Sequence, residues 1–280
     1  MKIDSHQHFW IYNPIEYGWI SNDMEILRKN YLPDLLKTEL PSIGFDGSLV
    51  VQARQSLEET QWLLDLAEQN NFIKGVVGWV DLCSPEIKEQ LFQFSRHPKL
   101  VGVRHVIHDE ADDNFILRKD FLQGIACLKE FGLTYDILVF PRHLPNTIEF
   151  VSQFPEHIFV LDHIAKPCIK DQKVSPWKED IEKLARFKNV YCKLSGMVTE
   201  ANVKNWKHED LIPYLNIVFA AFGPNRLMIG SDWPVCKVAG TYKQVMDVIL
   251  SYIETYPDED KNKILGENVL NAYQLVRINN

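Results

Sequence analysis

"GSLVVQARQSLEETQWLLDLAEQNNFIKGVVGWVDL", residues 47–82, is the stretch whose reading decides the fold. Its first run, around Leu49–Val51, is nearly continuous in apolar β-branched and aliphatic residues, which suits a strand buried on both faces. The next segment places Leu57, Leu63, Leu64 and Ala67 at helical spacing, and Ser56 with Glu59 has the pattern of a capping box at its start. A second apolar run, "KGVVGWVDL", follows the helix. Strand, helix, strand with apolar strands on both sides is the unit of a parallel sheet.

The unit recurs in both directions along the chain. "KIDSHQH", "LVGVRHVIH", "LTYDILVF", "IFVLDHIAKP", "VYCKLSGM" and "RLMIGSDWP" read as further strands. "RKDFLQGIACLKEFGL" presents Phe121, Leu122, Ile125 and Leu128 with helical spacing and stops at Gly132. "SPWKEDIEKLARFKN" begins with an early Pro, and "TYKQVMDVILSYIETY" and "KNKILGENVLNAYQLV" supply later helices. At roughly 35 residues per unit this is the pattern of a single (β/α)₈ barrel, expected as one domain over residues 1–280. A doubly wound dinucleotide fold would carry Gly-x-Gly-x-x-Gly after its first strand, and none is present. The long first connection, from Phe9 to about Ile43, is rich in Trp, Tyr and Pro and is expected to cover a substrate site.

Composition narrows the function. The chain has 280 residues, a formal net charge of -8, 46% hydrophobic and 24% charged residues, the balance of a globular protein. No basic field is available for a nucleic acid. No apolar stretch approaches the roughly 18 residues that span a bilayer. Cys83, Cys127, Cys168, Cys192 and Cys236 are scattered and form no Cys-x-x-Cys pair, so reduced thiols and a cytoplasmic location are expected. The opening "MKIDSHQHFW" lacks the pattern of a secretory signal.

In such a barrel chemistry sits at the C-terminal ends of strands. His6 and His8 end the first strand as an i, i+2 pair and therefore face one side. His163 ends the sixth strand with Asp162 and Lys166 beside it, and Asp232 ends the eighth. Separate structural uses explain any one of these; four at one rim point to a shared site.

Taken in order, "DSHQHFW", "VQARQSLEETQWLLDLA", "VGVRH", "LDHIAKP", "KLSG", "IGSDWP" and "GENVLNAYQL" resemble the amidohydrolase superfamily. Within it they are most similar to a branch of sugar-acid lactonases, which includes hydrolases of L-fuconolactone, L-rhamnonolactone and 2-pyrone-4,6-dicarboxylate. The resemblance implies hydrolysis of a lactone ring, with His6, His8 and His163 as the site histidines and Asp232 as the carboxylate that activates water. A bridged dimetal centre is not expected, because the fourth strand lacks the bridging Lys or Glu and the fifth lacks a His. One divalent ion, Zn²⁺ before others, on His6, His8, His163 and Asp232 is compatible with tetrahedral ligation and is not required by the chemistry.

Candidate substrate contacts are Gln52 and Arg54 at the end of strand two, Arg104 or its neighbour His105 at the end of strand four, Lys166, Ser195, and the walls Trp10, Trp19 and Trp233. On a regular strand only one of Arg104 and His105 faces the pocket. The expected partner is a small lactone, an aldonolactone first. A pyrone-type lactonase or decarboxylase of the same superfamily is the alternative. A non-catalytic sugar-acid-binding protein is a further one, which has little use for a carboxylate aimed at water.

Overall fold

In the computed structural model, which describes residues 1–275, eight parallel strands form one sheet in chain order. They are β1 (Ile3–Gln7), β2 (Gly47–Val51), β3 (Ile73–Gly78), β4 (Leu100–Val106), β5 (Thr134–Leu138), β6 (Phe159–Leu161), β7 (Val190–Leu194) and β8 (Leu227–Ile229). The barrel closes just past β8: Asp232 N–H donates to the His6 carbonyl at 2.8 Å, and His8 N–H donates to the Trp233 carbonyl at 2.7 Å. This is the expected (β/α)₈ architecture, with the rim groups of β1 and β8 brought side by side by closure.

The longer helices lie outside: α1 (Pro33–Glu39), α2 (Leu57–Gln69), α3 (Ile87–Ser95), α4 (Lys119–Leu128), α5 (Leu144–Ser152), α6 (Trp177–Leu184), α8 (His208–Phe222) and α9 (Tyr242–Tyr252), while the single turn α7 (Met197–Glu200) sits at the rim after β7. Among the described residues no helix is long and apolar enough to cross a membrane. At the start of α2, Ser56 Oγ accepts the Glu59 N–H at 3.1 Å, half of the expected capping box. The Glu59 carboxylate turns instead to the β2–α2 loop, accepting the N–H groups of Ala53 and Arg54 at 2.9 and 2.8 Å. The final expected helix is interrupted: α10 (Asp258–Asn262) runs through a π turn at Lys263–Glu267 into α11 (Asn268–Ala272). Gly266 is needed there, since a Cβ would lie 2.0 Å from the Met1 carbonyl oxygen. Val276, the end of that expected helix, lies outside the described residues.

Inside the barrel the side chains form layers. Ile3, Leu49, Val51, Val77, Val101, Val160 and Met228 make an apolar floor, closed from below by Val269, Ala272 and Tyr273 around α11. Above it sit buried Arg104, Asp136, Asp162 and Lys193, two charges of each sign. Removing one member of such a set leaves its partner buried and unpaired, which costs about 3–5 kcal/mol. Above that layer is the rim.

Candidate active site

His6 reaches the interior through an irregularity in β1. Asp4 is opposite Ser48 but Gln7 is opposite Val50, so three steps on β1 match two on β2. One extra residue in a strand reverses the alternation of its side chains. Asp4 consequently points away from the barrel, toward Ser231 Oγ at 2.6 Å and Tyr242 Oη at 3.1 Å. His6 and His8 point in.

At the rim, His6 Nε2 and His8 Nε2 are 3.1 Å apart. Asp232 Oδ1 lies 3.8 Å from His6 Nε2, 3.3 Å from His8 Nε2 and 3.9 Å from His163 Nε2. The structure thus brings His6, His8, His163 and Asp232 to one point. Each ring is held from behind: His8 Nδ1 bonds the Val51 carbonyl at 2.8 Å, and His163 Nδ1 bonds Ser195 Oγ at 2.8 Å.

The backbone beneath two of these groups is unusual. His163, Ile164, Ala165 and Lys166 all have left-handed φ (53°, 49°, 60° and 49°), as does Asp232 (56°). Non-glycine residues adopt this region at a cost of about 1–2 kcal/mol each and cluster at functional sites. The left-handed turn is held by the Lys166 N–H on the His163 carbonyl and by the Trp177 indole N–H on the Ile164 carbonyl, both at 2.8 Å. Gly196 clears the space for the ring, because a Cβ there would lie 2.6 Å from His163 Cγ.

Burial pushes His6 and His163 well below the ordinary histidine value, so both rings are neutral. Burial alone would raise Asp232, but His163, His8 and Lys166 more than offset it and hold the carboxyl below its usual range. Asp232 is therefore an ionised carboxylate. In the charged layer below, burial pushes Asp136 up to about 6. Burial also acts to raise Asp162, yet Lys193, His6 and Arg104 keep it well below the usual range.

These groups open into a cavity of about 380 Å³. Gln52, Arg104 and Lys166 line it, together with Trp19, Val106, Leu138 and Phe140. Arg104 is already committed: Nη1 donates to Asp162 Oδ2 at 2.9 Å, and Nη2 donates to the Gln52 carbonyl at 2.5 Å and to Gln52 Oε1 at 3.1 Å. Lys166 pairs with Glu200 at 2.5 Å. Ser195 contacts His163 and is not among the cavity-lining residues.

Three expected substrate contacts lie elsewhere. His105 takes the opposite parity to Arg104 and stacks on Phe115 at 4.9 Å, with Nε2 on Glu110 at 2.6 Å. Trp10 is buried against Tyr31, Tyr17 and Trp19, and Trp233 against Phe9 and Tyr31, beneath the first connection. Arg54 also departs from its expected place, pairing with Glu16 and lying over the Tyr17 ring to pin that connection. Trp19 and Met24 of the connection do reach the cavity. Asp136 and Lys193, absent from the sequence-based candidates, are visible in hindsight as lone opposite charges within "TYDIL" and "VYCKL". His108 lines the cavity with Asp109 on its Nδ1 at 2.8 Å.

The ligand atoms of His6, His8 and Asp232 lie within 4.8 Å of one another, as do those of His6, Asp162 and His163. Ligands about 2.0–2.1 Å from a tetrahedral ion are separated by about 3.3 Å, so the rim set suits a divalent cation.

A family model described as "Amidohydrolase" matches residues 3–275. The chain is 39% identical to L-fucono-1,5-lactonase of Burkholderia multivorans, over 98% of this chain and 96% of that protein. It is 34% identical to L-fucono-1,5-lactonase of Burkholderia ambifaria, over 99% and 96% respectively. A crystal structure of an amidohydrolase from Burkholderia multivorans with bound zinc superposes with a TM-score of 0.94 at 38% identity, covering 98% of this chain and 99% of that one. The chain belongs to the amidohydrolase family.

Proposed function

We propose that this protein hydrolyses the lactone ring of a sugar acid, an aldonolactone such as L-fuconolactone, with Asp232 as general base. The observation that carries the reading is the ionised Asp232 carboxylate, aimed into the cavity within 4 Å of three imidazole Nε2 atoms. The two L-fucono-1,5-lactonases similar over nearly the whole chain support the substrate class.

Asp232 accepts a proton from water as its oxygen attacks the lactone carbonyl, a role worth about 10²–10⁴ in rate. With Ser195 donating to Nδ1, His163 presents Nε2–H to the oxygen that becomes negative. Collapse of the tetrahedral adduct breaks the ring C–O bond, and the proton held by Asp232 passes to the departing hydroxyl. The products are one hydroxy acid and the regenerated carboxylate. His6, His8 and Asp232, with His163 beside them, are the residues that would hold Zn²⁺, the ion bound in the similar Burkholderia structure. Such an ion supplies Lewis acidity toward a carbonyl oxygen.

The cavity favours a sugar lactone over a pyrone dicarboxylate. Among the described lining residues, the cations Arg104 and Lys166 are already paired with Asp162 and Glu200, leaving neither free for added carboxylates. A substrate panel tests this: L-fucono-, L-rhamnono- and related aldonolactones beside 2-pyrone-4,6-dicarboxylate, with acid release followed by a pH indicator. Turnover of aldonolactones above the dicarboxylate is expected. Turnover of the dicarboxylate alone, or release of CO₂ from an aromatic acid, would overturn the assignment.

A further inference from the structure

The two turns that aim His163 each end in one half of an ion pair. The first is the left-handed turn His163–Lys166, closed by the Lys166 N–H on the His163 carbonyl at 2.8 Å. The second starts at Gly196, against the His163 ring, and runs through α7 to Glu200. Lys166 Nζ and Glu200 Oε1 meet at 2.5 Å with side chains 17% and 20% exposed, and both residues line the cavity. An ammonium has three N–H donors and a carboxylate about four acceptor sites, so one contact leaves both groups with capacity for a guest.

Other polar groups on the cavity wall are already engaged. Gln52 Nε2 donates to the Arg104 carbonyl at 3.4 Å, and Arg104 donates in turn to Asp162 and to Gln52. Thr199 Oγ1 gives its single proton to the Gly196 carbonyl at 2.8 Å. His108 is paired with Asp109, whose carboxylate is 65% exposed, so water competes for it. Val106, Leu138, Phe140 and Val238 offer carbon alone. A hydroxyl carried into such a cavity gives up water, which is unfavourable unless a protein partner replaces it.

We infer that the Lys166–Glu200 pair is the subsite that reads neighbouring ring hydroxyls of the lactone, Glu200 accepting from one and Lys166 donating to the other. Its two charges cancel, which suits a neutral diol and not an added carboxylate. Each partner sits on a turn that holds His163, so the hydroxyls are gripped in fixed register with the imidazole that meets the carbonyl oxygen. Glu200 is thereby a specificity-determining residue for polyhydroxylated rings. The inference rests on the sugar-lactone reading for its substrate and adds the atoms that recognise it. An ion pair that only fastened the two turns together would disturb every substrate alike.

The test uses Lys166→Met/Glu200→Leu, which removes one charge of each sign and leaves no unpaired partner. Two quantities are read. One is binding of 1,5-anhydro-L-fucitol, a ring polyol with no carbonyl, by NMR titration. The other is the ratio of kcat/KM for L-fuconolactone to that for δ-valerolactone, which has no hydroxyl. The variant is expected to bind the polyol at least about tenfold more weakly and to lower the ratio at least about tenfold. Equal polyol binding by the two proteins, no polyol binding by the wild type, or an equal fall in kcat/KM for both lactones would each overturn the inference. If the double variant does not fold, Glu200→Gln is read in the same way, with losses of about fivefold expected and none overturning it. Polyol binding needs no turnover: binding that depends on the pair, with no lactone opened, would count against the hydrolytic reading alone.

Discussion

Ser195 Oγ lies 2.8 Å from His163 Nδ1, behind the ring and away from the cavity. The serine thereby decides whether Nε2 of His163 offers a proton or a lone pair, and it fixes the ring plane. Outer partners of this kind are worth about 10–100-fold in activity. Ser195→Ala is expected to lower kcat by that range with KM within about threefold. A raised KM with unchanged kcat would make Ser195 a substrate contact instead.

Gly196 follows directly, and a side chain there meets both a left-handed φ of +63° and the His163 ring. Gly196→Ala is expected to displace the ring, reduce kcat by more than about tenfold and cost about 1–3 kcal/mol of stability. Steady-state kinetics and urea unfolding check this. A variant as active and as stable as the wild type would show that the ring has room to move.

His105 offers the opposite expectation. It packs outward between Glu110 and Phe115 and does not line the cavity. His105→Gln is expected to leave KM for an aldonolactone within about twofold, with any loss appearing in stability, on the order of 1 kcal/mol. A large rise in KM with no change in melting temperature would place it in the substrate pocket after all.

Glu59 gives a pH signature. Burial raises its carboxyl from 4.5 to about 7 in the folded protein. The folded state therefore holds this proton more tightly than the unfolded state. Its contribution is fully present below pH 4.5 and is lost as pH rises through about 7, by at most about 3 kcal/mol. Glu59→Gln keeps an acceptor for the Ala53 and Arg54 N–H groups but does not ionise. Thermal melts at pH 5 and pH 8 are expected to differ less for the variant than for the wild type; equal differences would contradict the assignment.

Much of this architecture is legible from sequence because apolar strand cores and helical spacing report burial directly. The rim groups are legible for the same reason: His6, His8, His163 and Asp232 interrupt apolar runs where strands end. What periodicity does not report is a change of phase. Alternation alone puts Asp4, His6 and His8 on one face, and only the extra residue in β1 separates Asp4 from the others. The charged layer was hidden because Asp136 and Lys193 stand alone in strands that otherwise read as apolar, and their pairing is a property of barrel closure. Trp10 and Trp233 adjoin the rim in sequence, yet the chain's turn at each point sends the ring under the first connection instead of into the cavity.

The most direct measurement is single-turnover hydrolysis of an aldonolactone by Asp232→Asn, with binding of the same lactone followed separately. Loss of at least about 10²-fold in the chemical step with retained binding is the expected result. A variant that opens the ring at near wild-type rate would contradict the role given to this carboxylate.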